Sequence, residues 1–162
     1  MKFVGKGRSL LKLQGIKGIQ IPKLILISYK DYLKNKNKTI SLIKKKFNKK
    51  VAVRSSSDSE DNLKKSNAGK FESVVNVEIQ NSDLVNQSIQ KVFNSYKKIK
   101  LTDKIIIQKM VENVVMSGVV LTSDKDNSAP YITINYSESS KTSEVTSGKS
   151  GVKTFVYFKN LN

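Results

Sequence analysis

An α+β fold is what this sequence predicts, and three observations carry the prediction. Asn81 to Lys98 sets Val85, Ile89, Val92 and Tyr96 at helical spacing with Phe93 beside them, the stripe of a helix packed on one face. Short apolar, β-branched runs recur at Val51–Val53, 104–111, 114–122, 131–136 and 152–158, each of strand length. At 162 residues the chain is long enough to bury a core around such elements, as one domain or two small lobes.

Taken in order, residues 3–13, FVGKGRSLLKL, read as a short loop opening a helix, with Leu10 and Leu13 on one face. Ile19 to Ile27 is apolar and β-branched but contains Pro22, which places it in an extended or edge segment. Ser28 followed by Asp31 has the spacing of a capping box and predicts a short helix carrying Tyr32 and Leu33. Thr39 is the expected cap of a second helix, with Ile40, Ile43 and Phe47 on its stripe and lysines 44–46, 49 and 50 around its end, where cations are favoured. Residues 104–111 and 114–122 read as two strands joined tightly at Glu112 and Asn113. Both are apolar on both faces, so a sheet covered on each side is expected. YITINY at 131–136 alternates as a strand does, Ser137 to Gly151 reads as a mobile polar loop, and residues 152–158 form a last strand.

Composition excludes several classes. The chain contains no Cys and no His, so it has no disulfide, no thiolate metal site, no Cys or His nucleophile and no histidine base. No apolar run approaches the roughly 20 residues that span a bilayer, and the N-terminus lacks a signal-like segment; a cytoplasmic location with no membrane partner is the expectation. The formal charge of +17 raises a polyanion as partner. Its excess, however, is lysine, with Arg8 and Arg54 the only arginines. A dedicated reader of nucleic acid carries more Arg interleaved with aromatic residues.

The centre of the chain is Val51 to Val77, VAVRSSSDSEDNLKKSNAGKFESVVNV. A short strand runs into Arg54, then hydroxyls and acids, then a turn at Ala68 and Gly69, then a second strand. Arg54 at a strand end offers a guanidinium fork suited to phosphate, and a Gly-containing turn lets backbone N–H groups approach the same oxygens.

VRSSSDSED, SNAGKFESVVNV and IIIQKMVENVVMSGVVLT, in this order and spacing, resemble the N-terminal nucleotide-binding domain of the phosphoenolpyruvate synthase and pyruvate phosphate dikinase family. The resemblance implies an ATP-grasp-like fold of mostly antiparallel sheets with flanking helices. It implies a helical and extended subregion at 1–50 and a nucleotide-binding subregion at 51–162 that is incomplete at Asn162. ATP and Mg²⁺ are the implied cofactors. Arg54 would pair with the ATP phosphates, Gly69 and Lys70 would belong to the loop closing over them, and Ser73 follows that loop at a hydroxyl position. Lys6, in Gly5-Lys6, lies where the family carries a phosphate-binding lysine. Gln108 and Met110 fall at the adenine end, where an amide both donates and accepts along a purine edge and Met packs against a ring.

Past residue 136 the likeness thins. Glu144 and Val145 to Gly148 match the family's glutamate and V-x-S-G, but the glycines before them are absent; Glu144 would contact ribose or metal. Asp58, Glu60 and Asp61 read as structural, capping the next element. The family's metal-binding acid, its Gln-x-Arg-Pro segment and its phosphohistidine and substrate domains are expected beyond Asn162, so the metal ligands stay unassigned and no catalytic residue is expected in this chain. The implied function is the ATP-binding part of a phosphotransferase that phosphorylates a carrier histidine and then pyruvate or another small acceptor, such as glutamine. The alternatives are a non-catalytic nucleotide-binding regulatory module and a basic nucleic-acid-binding protein.

Overall fold

A computed structural model describes residues 5–56, 71–124, 127–139, 145 and 151–158. By its contacts the chain forms two compact units, Met1–Met110 and Val111–Asn162.

The first unit begins with α1 (Lys6–Leu13), β1 (Leu24–Ser28), α2 (Tyr29–Lys34) and α3 (Lys36–Lys46), and continues through β2 (Lys50–Ser56), β3 (Ser73–Glu78), α4 (Ser82–Asn94) and β4 (Lys104–Lys109). Its strands make one sheet in the order β1-β4-β2-β3, every pair antiparallel. The last strand in sequence, β4, therefore lies between β1 and β2. Ile105, Ile106 and Ile107 have no exposure, so β4 is covered on both faces as its composition predicts. β1 is an edge strand, with Pro22 just ahead of it rather than inside it.

One face of this sheet carries Ile27, Val51, Val53, Val77, Ile105 and Ile107, which pack with Tyr32, Ile40, Ile43 and the α4 stripe Val85, Ile89, Val92 and Phe93. Full burial of each such side chain contributes about 1.5–3 kcal/mol. The α4 register matches the periodicity, with Asn81 as its cap accepting the Leu84 N–H at 3.0 Å. Ser28 caps α2 as its sequence predicts: its Oγ accepts the Asp31 N–H at 3.1 Å and donates to the Asp31 carboxylate at 2.6 Å.

Two expectations about the elements up to β4 are corrected. The cap of α3 is Asn35, whose Oδ1 accepts the Lys38 N–H at 2.8 Å. Thr39 lies inside the helix with its hydroxyl donating to the Asn35 carbonyl at 3.1 Å. The spacing is ambiguous because Asn and Thr both cap, and the Asn lies one turn earlier. Second, β4 and the following strand are not a hairpin; they belong to different sheets, and residues 110–116 connect them. Asn113 does adopt a turn conformation, φ 55°, but β4 does not pair with the strand that follows it. The expected second strand of the central stretch is present as β3 and carries a bulge. Between Val51↔Val77 and Val53↔Val74 it carries one residue more than β2, with Asn76 at φ 59°. This bulge turns both Val74 and Val77 toward the core while Val75 stays exposed.

The second unit holds β5 (Ser117–Leu121), β6 (Tyr131–Ser137) and β7 (Lys153–Phe158), an antiparallel sheet in sequence order. Tyr131 and Phe158 pair across β6 and β7 with ring centroids 5.3 Å apart. Contrary to the expected double cover, Val119 and Val120 of β5 are exposed, as are Phe155, Val156, Tyr157 and Phe158 of β7. Most of the expected loop from Ser137 to Gly151 lies outside the described residues.

Candidate functional site

The sheet face opposite the helical core carries the polar residues. Alternation along the strands and the antiparallel register arrange it in three rows: Leu24, Gln108 and Ala52; then Leu26, Ile106, Arg54 and Ser73; then Ser28, Lys104 and Ser56. Arg54 stands in the body of β2, two residues before its end, rather than at the end itself. Gln108 is on the diagonal from it, the spacing at which long side chains meet across a sheet. Arg54 Nη1 donates to Gln108 Oε1 at 3.2 Å. Gln108 is 8% exposed and Arg54 half-buried. Gln108 is thus a buried strand residue whose carbonyl accepts from a half-buried guanidinium.

Ser73, directly opposite Arg54 on β3, is exposed. The carboxylates of the ion pairs Lys50–Glu78, Lys91–Glu72 and Lys153–Glu138 are engaged elsewhere and do not neutralise Arg54. A guanidinium held by a neutral amide is oriented without being neutralised by its partner, the chemistry that suits recognition of an anion.

The N-terminal helix is fastened to the same face. The Gly7 N–H donates to Ser56 Oγ at 2.8 Å. A Cβ at Gly7 would lie 2.5 Å from Leu26 Cδ2, 2.7 Å from Ser56 Oγ and 3.2 Å from Ile106 Cγ1. Only a glycine lets the helix come this close. Gly5, at φ 75°, makes the turn into the helix. Lys6 is thereby held, half-buried, at the start of a helix that meets the sheet beside the row of Arg54. The lysine is legible in the sequence, whereas Gly7 and Ser56, which place its helix, are signalled there only by the GKG spacing.

The far end of the sheet is closed by Tyr96, just past α4. Its Oη accepts the Ser56 N–H at 2.9 Å and donates to the Lys104 carbonyl at 2.6 Å. Met110 follows β4, half-buried, its N–H donating to the Lys50 carbonyl at 3.1 Å. It lies beyond the Gln108 end of the strand. Arg54, Gln108 and Ser73 are thus brought together, with Lys6 fastened to their face. Gly69, Lys70, Glu144, Asp58, Glu60 and Asp61 lie outside the described residues. Among the described residues no three acids gather as a metal site. No helix among them is long and apolar enough to cross a membrane.

The family model for the AMP/ATP-binding domain of pyruvate phosphate dikinase matches residues 30–160. The chain belongs to this family. As a pyruvate phosphate dikinase-type domain it is mixed α+β with two antiparallel sheets, consistent with an ATP-grasp-like fold, and its ligand class is AMP or ATP. The match spans Arg54, Gly69, Lys70, Ser73, Gln108, Met110 and Glu144 and begins after Lys6. Comparison with curated proteins gives no match.

Proposed function

We propose that this domain binds the phosphates of ATP on the outer face of the β1-β4-β2-β3 sheet, as the nucleotide-binding part of a phosphotransferase resembling phosphoenolpyruvate synthase. The observation that carries the reading is the half-buried Arg54 guanidinium, oriented by Gln108 and paired with none of the carboxylates in the described ion pairs. Lys6 adds a second cation from α1, and Ser73 a hydroxyl across the strand pair. Gly69, Lys70, Met110 and Glu144 complete the proposed contacts to the nucleotide.

In the whole enzyme, ATP would phosphorylate a carrier histidine and then pyruvate or another small acceptor such as glutamine. This chain has no His, so the carrier belongs to another domain of that enzyme, which is the proposed partner. Mg²⁺ would supply charge neutralisation during transfer. The work of the residues in hand is binding and orientation.

Thermal unfolding with ATP, in wild type and Arg54→Ala, tests the proposal. Ligand at a hundredfold excess over Kd stabilises a folded protein by about 2.7 kcal/mol. The wild type is expected to gain that much, and the variant much less at the same concentration. Equal stabilisation of both would move the phosphates away from Arg54. Salt-sensitive stabilisation by a DNA oligonucleotide, with none by ATP, would replace the nucleotide reading with a nucleic-acid one.

A further inference from the structure

We infer that Gln108 is a positioning residue: it acts on a bound phosphate chain by holding Arg54, rather than by reading the edge of the adenine ring. The inference rests on the proposed ATP site and assigns Gln108 a different role within it. A guanidinium has donors and no acceptor, so the group of Gln108 that faces Arg54 at 3.2 Å is the carbonyl oxygen. That oxygen is the acceptor an adenine amino group would need.

Burial fixes the arrangement. Gln108 sits on β4, with Leu24 of β1 opposite it on one side and Ala52 of β2 on the other. Both neighbours are apolar and buried. Arg54, on the diagonal beyond the small Ala52, is the partner to which the carbonyl turns. The partner's neutrality matters as much as its position. A carboxylate at 108 would orient Arg54 equally well but cancel its charge, whereas an amide orients the fork and leaves the charge for an anion.

The test separates the two ends of the nucleotide. Affinities for ATP, inorganic tripolyphosphate and adenosine are measured by titration calorimetry on the full chain, in wild type, Gln108→Met and Gln108→Glu. Met preserves the length and volume of the side chain without its acceptor, and thermal unfolding verifies that each variant is folded. An orienting bond to a charged group is worth roughly tenfold in affinity. Gln108→Met is expected to weaken ATP and tripolyphosphate by that common factor and leave adenosine unchanged. Gln108→Glu is expected to weaken tripolyphosphate further. In an Arg54→Ala background the Gln108→Met loss should vanish.

A fall in adenosine affinity with tripolyphosphate unchanged would overturn the inference and return Gln108 to the adenine edge. Persistence of the loss without Arg54 would overturn it too. If wild type binds neither ATP nor tripolyphosphate, the underlying ATP reading fails, and the inference with it.

Discussion

Removing one oxygen atom, in Tyr96→Phe, gives the sharpest test of how the sheet carries its polar face. The hydroxyl bridges the last rung of the β2–β4 ladder, accepting from Ser56 N–H and donating to Lys104 C=O. The ring is 7% exposed and packs against Phe71 and Phe93, with centroids 5.6 and 6.1 Å away. Phenylalanine preserves that packing, so the loss is polar. Each hydrogen bond contributes about 1 kcal/mol net, and a buried group left without a partner costs about 1–3 kcal/mol. Ser56 is 6% exposed, so its N–H cannot turn to water without opening the strand end. The expected loss is about 2–3 kcal/mol, which lowers Tm by several degrees. Because Ser56 also anchors Gly7, ATP affinity should fall as well if Lys6 contributes. Urea unfolding and calorimetric titration of the same samples measure both. A stability change below about 0.5 kcal/mol would refute the bridge.

Three further outcomes are expected. Gly7→Ala sets about 0.5–1 kcal/mol of helix propensity against about 1–3 kcal/mol of overpacking on Leu26, Ser56 and Ile106; net destabilisation in urea is expected, and a more stable variant would mean that α1 does not pack there. Asn35→Ala should cost about 1 kcal/mol as a lost cap, while Thr39→Val, which keeps the buried side-chain shape and leaves the Asn35 cap in place, should cost less; the reverse order in denaturation midpoints would restore Thr39 as the cap. Burial raises the Tyr32 phenol above its ordinary value of about 10, with Tyr29 adding to the shift and Gln90 opposing it. The folded state then keeps its proton where the unfolded chain loses it, so this stabilisation is whole below pH 10 and lost as the pH rises beyond it. Tyr32→Phe should therefore show a shallower alkaline decline in urea midpoint than wild type; parallel declines would count against the buried phenol.

The sequence by itself determined what depends on neighbours a few residues apart. The α4 stripe, the Ser28 cap, the edge character of the segment after Pro22 and the covered β4 follow from periodicity and local hydrogen bonding, which act within one turn or one strand. Three motifs in order were enough to place the family. What only the tertiary structure decided is non-local. Glu112 and Asn113 have the chemistry of a turn, but a turn does not specify the strand that β4 will join, and β4 joins β1 and β2. The bulge at Asn76 follows from turning Val74 and Val77 together toward one core. In the site, Arg54 and Gln108 were each legible as a type of side chain suited to ATP. Their contact was not, because they lie 54 residues apart and meet only once β2 and β4 pair in one register. Gly7 and Ser56, 49 residues apart, meet for the same reason. A glycine shows its purpose only when the surface it lets approach is present, and for Gly7 of α1 that surface is built by β1, β2 and β4.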